Sequence, residues 1–361
     1  MRILVISNLY PSPEHPAFGT FVNARVEALR ALGADVRVVA IRDPAVHRRV
    51  TAKYASLALS AGLAAAGARL RRARIDIVEA HIAYPTGIIA RPAARLVGAP
   101  LVLFAHGADV LAIPTRSTRH AHLAASTYGA ASLVVANSHF LAGEIGRRYP
   151  DVADRVRVLS PGIELQQFTN DLAGSRAGVL FVGRLVPDKG VDVLIRAMAA
   201  LGAPGGPREW AMGRLTVLGD GPERTRLAAL ARTLQVDLDL RGDVGRAAVA
   251  DAMRRAAVVA VPSVYREPLG LVAIEAMASG AIVVASATGG LIETVIDGVT
   301  GLAVPPGDVD ALAAAIGRAA DLASDPIAGP AMRAAEWEMA ITHDVRRSAA
   351  DSLVLYGKLS R

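Results

Sequence analysis

The chain has 361 residues, contains no cysteine and carries a formal net charge of +7 at pH 7. This length suffices for two domains of ordinary size, and the lack of cysteine excludes disulfides, thiolate zinc sites and a cysteine nucleophile. A basic surplus favours anionic partners, such as phosphates, nucleic acid or an anionic bilayer.

Short apolar runs alternate with Ala-, Leu- and Arg-rich helical segments in the first half of the chain. The runs are nearly continuous in apolar residues, which is typical of parallel strands buried on both faces. The first run is too short for a signal peptide, so we predict a buried first strand. The predicted strands are 3–6, 36–41, 75–78, 101–104, 133–135 and 156–159.

The segment 42–74 is strongly basic. Two interpretations stay open: a solvated face, or a docking surface for a membrane or a phosphate-bearing acceptor. Nucleic acid is disfavoured, because only Tyr54 offers a ring for base stacking here. The apolar stretch 55–68 is too short and glycine-rich for a membrane span. The segment 42–74 contains one acid, Asp43, and eight basic residues: Arg42, Arg48, Arg49, Lys53, Arg69, Arg71, Arg72 and Arg74.

The alternating pattern starts again after a polar stretch at 166–176. Two successive sets of βα units predict an α/β fold with two doubly wound Rossmann-like domains facing a central cleft. We place the domains at 1–165 and 177–340, with a C-terminal helix at 341–361 that packs back on the N-terminal domain. The predicted strands of the second set are 179–182, 215–218, 236–240, 258–261, 282–284 and 302–304.

Ligands of open parallel sheets bind at the carboxyl ends of the strands. After strand 179–182, Arg184 and Lys189 lie on a turn that opens at Gly183 and leads into a helix. The N–H groups and partial positive charge of a helix N-terminus add to these cations. The turn therefore predicts a phosphate or diphosphate site in preference to a solvated basic loop.

Two acids follow the strand 258–261. Glu267 lies in a loop, and Glu275 falls about one and a half turns inside a helix that begins near Gly270. The helix is otherwise apolar here, so Glu275 needs a partner. A hydroxyl-rich ligand and a buried ion pair both remain open as that partner.

Two positions in the first half also follow strands. His106 comes directly after the strand 101–104 and is expected to face the cleft, although a lone histidine is usually structural. Gly19 ends the long loop after the first strand, where it allows close approach of a ligand to the backbone. Thr20 is expected to be the N-cap of the next helix.

These motifs resemble those of the retaining GT-B glycosyltransferases of family 4, over essentially the whole chain. The most specific is the pair Glu267 and Glu275 with seven residues between them. The matching segments are 18–22, 81–87, 183–190, 267–280 and 289–293.

The resemblance implies a donor diphosphate held by Arg184 and Lys189, which also stabilise charge on the departing nucleotide, with Gly19 against the phosphates. It implies that the family needs no bound metal and no cofactor, the nucleotide-diphosphate sugar being a substrate. The two cations and the helix dipole take the place of a metal ion. We see no Asp-x-Asp cluster placed to bind one.

For the sugar and ribose, the resemblance implies that Glu275 binds the ribose hydroxyls and Glu267 the sugar hydroxyls. Backbone amides of Gly270 and Leu271 lie nearby, and His106 lines the sugar pocket close to the reacting carbon. The residues with an implied catalytic role are His106, Glu267, Arg184 and Lys189.

The family commonly has Pro-Asn-Gly-Val/Ile-Asp before the linker, whereas this chain has Ser160-Pro161-Gly162-Ile163-Glu164. Pro161 lacks the amide of the family's Asn, which affects contacts at the domain junction. No second nucleophile is evident, so we expect front-face transfer with retention at the anomeric carbon.

The expected acceptor is a glycan or lipid-linked sugar in envelope glycan synthesis. The expected location is the cytoplasm, with 42–74 as a contact for the inner face of the plasma membrane. Two other functions stay open: a sugar-nucleotide epimerase of the same fold, and a non-catalytic protein that binds nucleotide sugars.

Overall fold

The computed structural model describes residues 1–15, 18–43, 50–170, 176–202 and 214–359. The chain divides into two compact units. The first combines Met1–Gly162 with Val345–Arg361, and the second is Ile163–Asp344. Within the described residues, each unit contains one six-stranded sheet.

The sheet of the first unit is parallel, with its first strand near the centre. Its strands are β1 (Arg2–Ser7), β2 (Asp35–Ala40), β3 (Ile77–His81), β4 (Leu101–Ala105), β5 (Leu133–Ala136) and β6 (Val156–Val158), in the order β2-β1-β3-β4-β5-β6. Its helices are α1 (Thr20–Ala31), α2 (Val50–Leu70), α3 (Ala83–Val97), α4 (Ala108–Leu111), α5 (Thr118–Gly129), α6 (His139–Arg148) and α14 (Val345–Leu359).

Alternate residues of these strands enter two different cores, because successive side chains of a strand point to opposite faces of the sheet. Leu4 and Leu103 belong to the core that α2, α3 and α5 cover. Ile3 and Val102 belong to the core shared with α1 and α14. Burial on both faces explains why the strands are continuous in apolar residues.

The second unit repeats this architecture. Its strands are β7 (Val179–Val182), β8 (Leu215–Leu218), β9 (Leu238–Gly242), β10 (Val258–Val261), β11 (Ile282–Ser286) and β12 (Leu302–Val304), in the order β12-β11-β10-β7-β8-β9. Its helices are α7 (Val191–Leu201), α8 (Arg224–Thr233), α9 (Arg246–Arg255), α10 (Leu271–Ala278), α11 (Leu291–Thr294), α12 (Val309–Ser324) and α13 (Ala328–Ile341).

The α/β fold with two doubly wound Rossmann-like units is confirmed, and every predicted strand overlaps an observed one. The third predicted strand is displaced, because β3 runs on through Glu79 to His81. The second unit begins at Ile163 rather than 177, since Ile163 and Phe168 are buried in its core.

The C-terminal tail divides between the units. Helix α13 packs on α10 in the second unit, and α14 packs on α1 in the first.

Among the described residues, no helix combines the length and the apolar content that crossing a membrane requires.

Candidate active site

The turn after β7 carries the two predicted phosphate-binding cations. Arg184 is exposed, and Lys189 ends a short 3-10 helix, Pro187–Lys189. Gly190 then caps α7 with φ +65°, and a Cβ there would lie 2.0 Å from the Pro262 carbonyl oxygen. Only glycine allows this approach, so the turn lies directly against the loop that follows β10.

The same turn is fastened to the loop after β8. The Leu185 N–H donates to the Asp220 carbonyl (2.9 Å), and the Glu223 N–H donates to the Leu185 carbonyl (3.1 Å). Loops from three neighbouring strands of the second unit therefore fix the backbone that carries Arg184 and Lys189.

Glu267 lies in the loop after β10 and is 5% exposed. Its Oε1 accepts hydrogen bonds from Lys189 Nζ and from Ser263 Oγ, the latter at 2.7 Å. Its Oε2 accepts from the Tyr265 hydroxyl at 3.2 Å. Burial, with the nearby Glu267 carboxylate, raises the pKa of Tyr265, so this hydroxyl stays a donor. The structure thus brings Lys189 and Glu267 together.

The backbone of Glu267 is also fixed. Its carbonyl accepts from the Gly290 N–H at 2.6 Å, and a Cβ on Gly289 would lie 2.1 Å from that oxygen. The Gly289-Gly290 pair is therefore needed for packing against Glu267. Gly270 caps α10, and Leu271 is its first residue. The first N–H groups of a helix have no hydrogen-bond partner inside it, and the N-terminus of α10 follows the Glu267 loop directly in the sequence.

Glu275 is buried in α10, as predicted, and it pairs with an arginine that the sequence did not single out. Arg246 Nη2 lies 3.3 Å from Glu275 Oε1. Burial raises the pKa of Glu275 to about 7, with Arg246 opposing the shift and Glu164 adding to it. Glu275 and Arg246 thus lie within ion-pair distance, while burial favours the neutral form of the carboxyl.

Arg246 begins α9, beyond the carboxyl end of β9. Gln167 accepts a hydrogen bond from its Nε at 2.6 Å, and its guanidinium lies 5.0 Å from the centre of the Phe168 ring. The family resemblance and the carboxyl end of this strand point to the loop 241–244 as a place for the nucleotide base, but no local pattern shows that Arg246, at the start of the following helix, reaches Glu275.

In the first unit, Gly19 is the N-cap of α1, with φ +73°. A Cβ there would lie 2.7 Å from the Leu9 carbonyl carbon, so the close approach is to the chain itself. The expectation that Thr20 caps the helix is wrong, because Thr20 is already its first residue. Residues 16 and 17 of this loop lie outside the described residues.

His106 is not a lone histidine. Its Nε2 lies 3.1 Å from His81 Nδ1, and His81 Nε2 lies 3.3 Å from Glu79 Oε2. Glu79 and His81 are 0% and 1% exposed, whereas His106 keeps partial exposure. Burial lowers the pKa of both histidines, so both rings are neutral at pH 7.

Glu79 is held by two further residues. Arg25 donates to both of its carboxylate oxygens at 3.1 and 3.3 Å, and the Tyr356 hydroxyl donates at 2.7 Å. Burial alone would raise the pKa of Glu79, but Arg25 and His81 outweigh it and lower the pKa to about 2. Glu79 is therefore a buried carboxylate, which ties α1, β3 and α14 together.

Asp109 fixes the backbone of the His106 turn. It accepts from the N–H groups of His106 (3.0 Å), Gly107 (2.9 Å) and Ala83 (2.7 Å). These bonds link the loop after β4 to the start of α3, which follows β3. His106 and His81 are thereby held side by side, with their ring centroids 5.3 Å apart and their ring planes 20° from parallel.

The segment 160–164, where the sequence differs from the usual family pattern, is held by hydrogen bonds at Ser160. Ser160 Oγ accepts from the Gly162 N–H at 3.1 Å, and the Ser348 hydroxyl of α14 donates to the Ser160 carbonyl.

The described residues contain no group of three or more His, Asp or Glu side chains arranged to hold a metal ion.

Known proteins match both units. The family model Glycosyltransferase Family 4 matches residues 19–167, and Glycosyl transferases group 1 matches residues 163–326. A D-inositol 3-phosphate glycosyltransferase of Salinispora arenicola is 35% identical over 332 residues, which cover 76% of this chain and 70% of that protein. Another, of Kribbella flavida, is 39% identical over 223 residues, 55% of this chain and about half (49%) of the relative.

Solved structures share the fold. Anabaena HepE in complex with UDP has a TM-score of 0.77 at 20% identity, covering 99% of this chain and 100% of the other. Sucrose-phosphate synthase of Thermosynechococcus elongatus has a TM-score of 0.77 at 24% identity, covering 99% of each. The two Rossmann-like units have the GT-B fold of these glycosyltransferases. The chain belongs to glycosyltransferase family 4.

Proposed function

We propose that the protein is a retaining glycosyltransferase that moves a sugar from a nucleotide-diphosphate sugar to an acceptor hydroxyl. The contact of Lys189 with Glu267 carries the proposal, because it joins a phosphate-binding cation to a hydroxyl-binding carboxylate at neighbouring strand ends. The HepE structures hold UDP and UDP-glucose, which supports a nucleotide-sugar donor.

In this proposal Arg184 and Lys189 bind the donor diphosphate, with Gly19 against the phosphates, and neutralise the charge that develops on the leaving nucleotide. The two fixed cations can do this without a metal ion. Turnover should therefore survive dialysis against EDTA, and activity that is lost there and restored by Mg²⁺ would contradict this part of the proposal.

Glu267 is the acceptor for sugar hydroxyls. A carboxylate has about four lone-pair sites, and Lys189, Ser263 and Tyr265 use three of them. The remaining capacity, with the Gly270 and Leu271 amides, suits a hydroxyl of the sugar. Glu275 binds the ribose hydroxyls, and His106 lines the sugar pocket.

Transfer proceeds by front-face attack. The bond from the anomeric carbon to the phosphate oxygen breaks, and the acceptor oxygen bonds to the same face of that carbon. The departing phosphate takes the hydroxyl proton. Because three donors occupy Glu267, it orients the sugar rather than acting as a nucleophile. The anomeric configuration of the product, read by proton NMR, tests this step, since inversion is incompatible with it.

The acceptor we favour is a lipid-linked sugar or glycolipid in envelope glycan synthesis, met at the inner face of the plasma membrane. Leu59, Leu63 and Leu70 on α2 are 66%, 64% and 85% exposed. Their spacing of four and seven residues places them on one face of the helix. Arg71 and Arg72 follow directly and are exposed, so the surface combines apolar and cationic groups.

Part of the basic segment is already engaged. Lys53 pairs with Asp43 at 2.7 Å and Arg74 with Asp76 at 2.8 Å, while Arg48 and Arg49 lie outside the described residues. Cosedimentation with anionic and neutral vesicles tests the contact. Binding to anionic vesicles that weakens in Leu63→Ser and Arg71→Glu supports it, and equal recovery with both kinds of vesicle opposes it.

The related D-inositol 3-phosphate glycosyltransferases suggest a water-soluble alternative acceptor, D-inositol 3-phosphate. Transfer assays with that compound and with lipid-linked sugars decide between the two. Incubation with donor alone tests the epimerase alternative, which predicts an epimerised donor. A non-catalytic protein would bind the donor tightly and turn over with neither acceptor.

A further inference from the structure

Glu79, His81 and His106 form one hydrogen-bonded chain at the carboxyl ends of β3 and β4. Glu79 accepts from Arg25 and from Tyr356, so it is an ionised carboxylate with no hydrogen of its own. His81 Nε2 must therefore donate to Glu79, since a carboxylate only accepts.

The hydrogen positions of both rings follow from that first bond. A neutral imidazole carries one N–H and one bare nitrogen. With its hydrogen on Nε2, His81 has a bare Nδ1, and this nitrogen faces His106 Nε2 at 3.1 Å. His106 must then carry its hydrogen on Nε2, which leaves its Nδ1 bare.

We propose that Glu79 and His81 are positioning residues that hold His106 in the Nε2–H tautomer, so that this ring meets a substrate hydroxyl only as an acceptor at Nδ1. The effect on turnover rests on the proposed transferase function, whereas the tautomer is a property of the free protein. The partner of a ring nitrogen commonly sets the tautomer in this way.

Neighbouring residues hold the side chains of the Glu79–His81–His106 hydrogen-bonded chain in place. The His81 ring stacks on Phe104 at 4.7 Å, and Arg25 lies 4.3 Å from the centre of the same Phe104 ring. Asp109 holds the His106 backbone. The buried end of the chain is a carboxylate with full partners, and the other end is the partly exposed His106. A purely structural cluster would not need an exposed end.

The test variant is His81→Phe. Phenylalanine keeps the stacking on Phe104 but removes the acceptor for His106 Nε2, and Glu79 keeps Arg25 and Tyr356 as donors. The matched control is Tyr356→Phe, which removes one donor to Glu79 while leaving the His81 bonds in place. Circular dichroism and thermal unfolding verify that each variant folds.

Nitrogen-15 NMR of the histidine rings in the free protein, assigned with His106→Gln, reads the tautomer directly. We expect His106 in the wild type and in Tyr356→Phe to be protonated on Nε2 alone, and in His81→Phe to be a mixture. Protonation on Nδ1 in the wild type, or an unchanged tautomer in His81→Phe, overturns the proposal.

Binding of UDP and UDP-glucose then separates positioning from general loosening. We expect His81→Phe to weaken UDP-glucose about tenfold, the scale of one hydrogen bond, and to leave UDP unchanged. Equal loss for both ligands would overturn the positioning role. If the wild type binds neither ligand, UDP-glucose is not its donor, and the NMR result still decides the tautomer.

Discussion

At the scale of single residues, Lys189 has two roles. It forms an ion pair with buried Glu267, and in our proposal it also binds the donor diphosphate. We expect Lys189→Ala and Arg184→Ala each to lower kcat/KM about tenfold to over a hundredfold, because a lost charge-assisted contact costs about 1.5–3 kcal/mol. Only Lys189→Ala should also lower Tm, since it leaves Glu267 buried without its cation. Steady-state kinetics and thermal unfolding measure both effects, and unchanged kinetics in both variants would refute the assignment.

Glu275 predicts a pH dependence of donor binding. Burial raises its pKa to about 7, so the free protein loses the carboxylate as the pH falls through that value. Because ribose hydroxyls donate to the ionised form, donor affinity should rise as the pH rises from 6 to 8. Titration calorimetry with an intact nucleotide sugar, whose diphosphate diester does not titrate there, measures it. Glu275→Gln should abolish the slope, and a slope that persists in this variant contradicts the ribose role.

The sequence singled out residues whose chemistry shows in the local pattern, but it did not show which residues pair with one another. Arg184 and Lys189 stand at a strand end beside glycines, which is visible in one short segment. Arg246 and Glu275 are 29 residues apart in sequence, and their pairing depends on how α9 and α10 pack. Likewise, no local pattern pairs His81 with His106.

At the scale of elements, β3 shows why strand limits were harder to predict than strand positions. The apolar run stops at Val78, whereas the strand continues through Glu79 to His81. An acid inside a buried strand is unfavourable unless it is paired. Its partners, Arg25 and Tyr356, lie 54 and 277 residues away, so local composition could not reveal them.

The packing of α13 on the second sheet contains another buried acid. Glu336 is 0% exposed, and its Oε1 accepts from the Val283 N–H of β11 at 3.0 Å. Burial raises its pKa from 4.5 to about 8. Between those values the unfolded chain has lost a proton that the folded chain keeps. Stability therefore falls as pH rises across this window, by about 1.4 kcal/mol per pH unit, and levels off above it.

Glu336→Gln keeps the acceptor and removes the titration. We expect this variant to match the wild type near pH 4.5 and to be increasingly more stable up to pH 8. Denaturant unfolding at several pH values measures the difference. Glu338→Gln, an exposed change on the same helix, is the control and should show no such trend. A constant difference between Glu336→Gln and wild type at all pH values would mean that Glu336 is ionised in the fold.

At the scale of the whole molecule, both ends of the chain build the first unit. Helix α14 returns to α1, where Tyr356 and Ser352 bond to Arg25, and Tyr356 also bonds to Glu79. The two sets of βα units were readable from sequence because each repeats a local pattern. The boundary near Gly162 was not, since it depends on contacts of Val345 and Ile163.

Removal of α14 should therefore damage the first unit selectively. A chain that ends at Asp344 leaves buried Arg25 and Glu79 without two hydrogen-bonding hydroxyls, each costing about 1–3 kcal/mol, and uncovers the core beneath α1. We expect hydrogen exchange to accelerate in β1, β3 and β4 of the truncated chain, while β7, β10 and β11 keep their protection. Val354 is 63% exposed on α14, so Val354→Ser should leave exchange unchanged in both units. Equal loss of protection in the second unit would mean that its sheet depends on α14, despite having its own core.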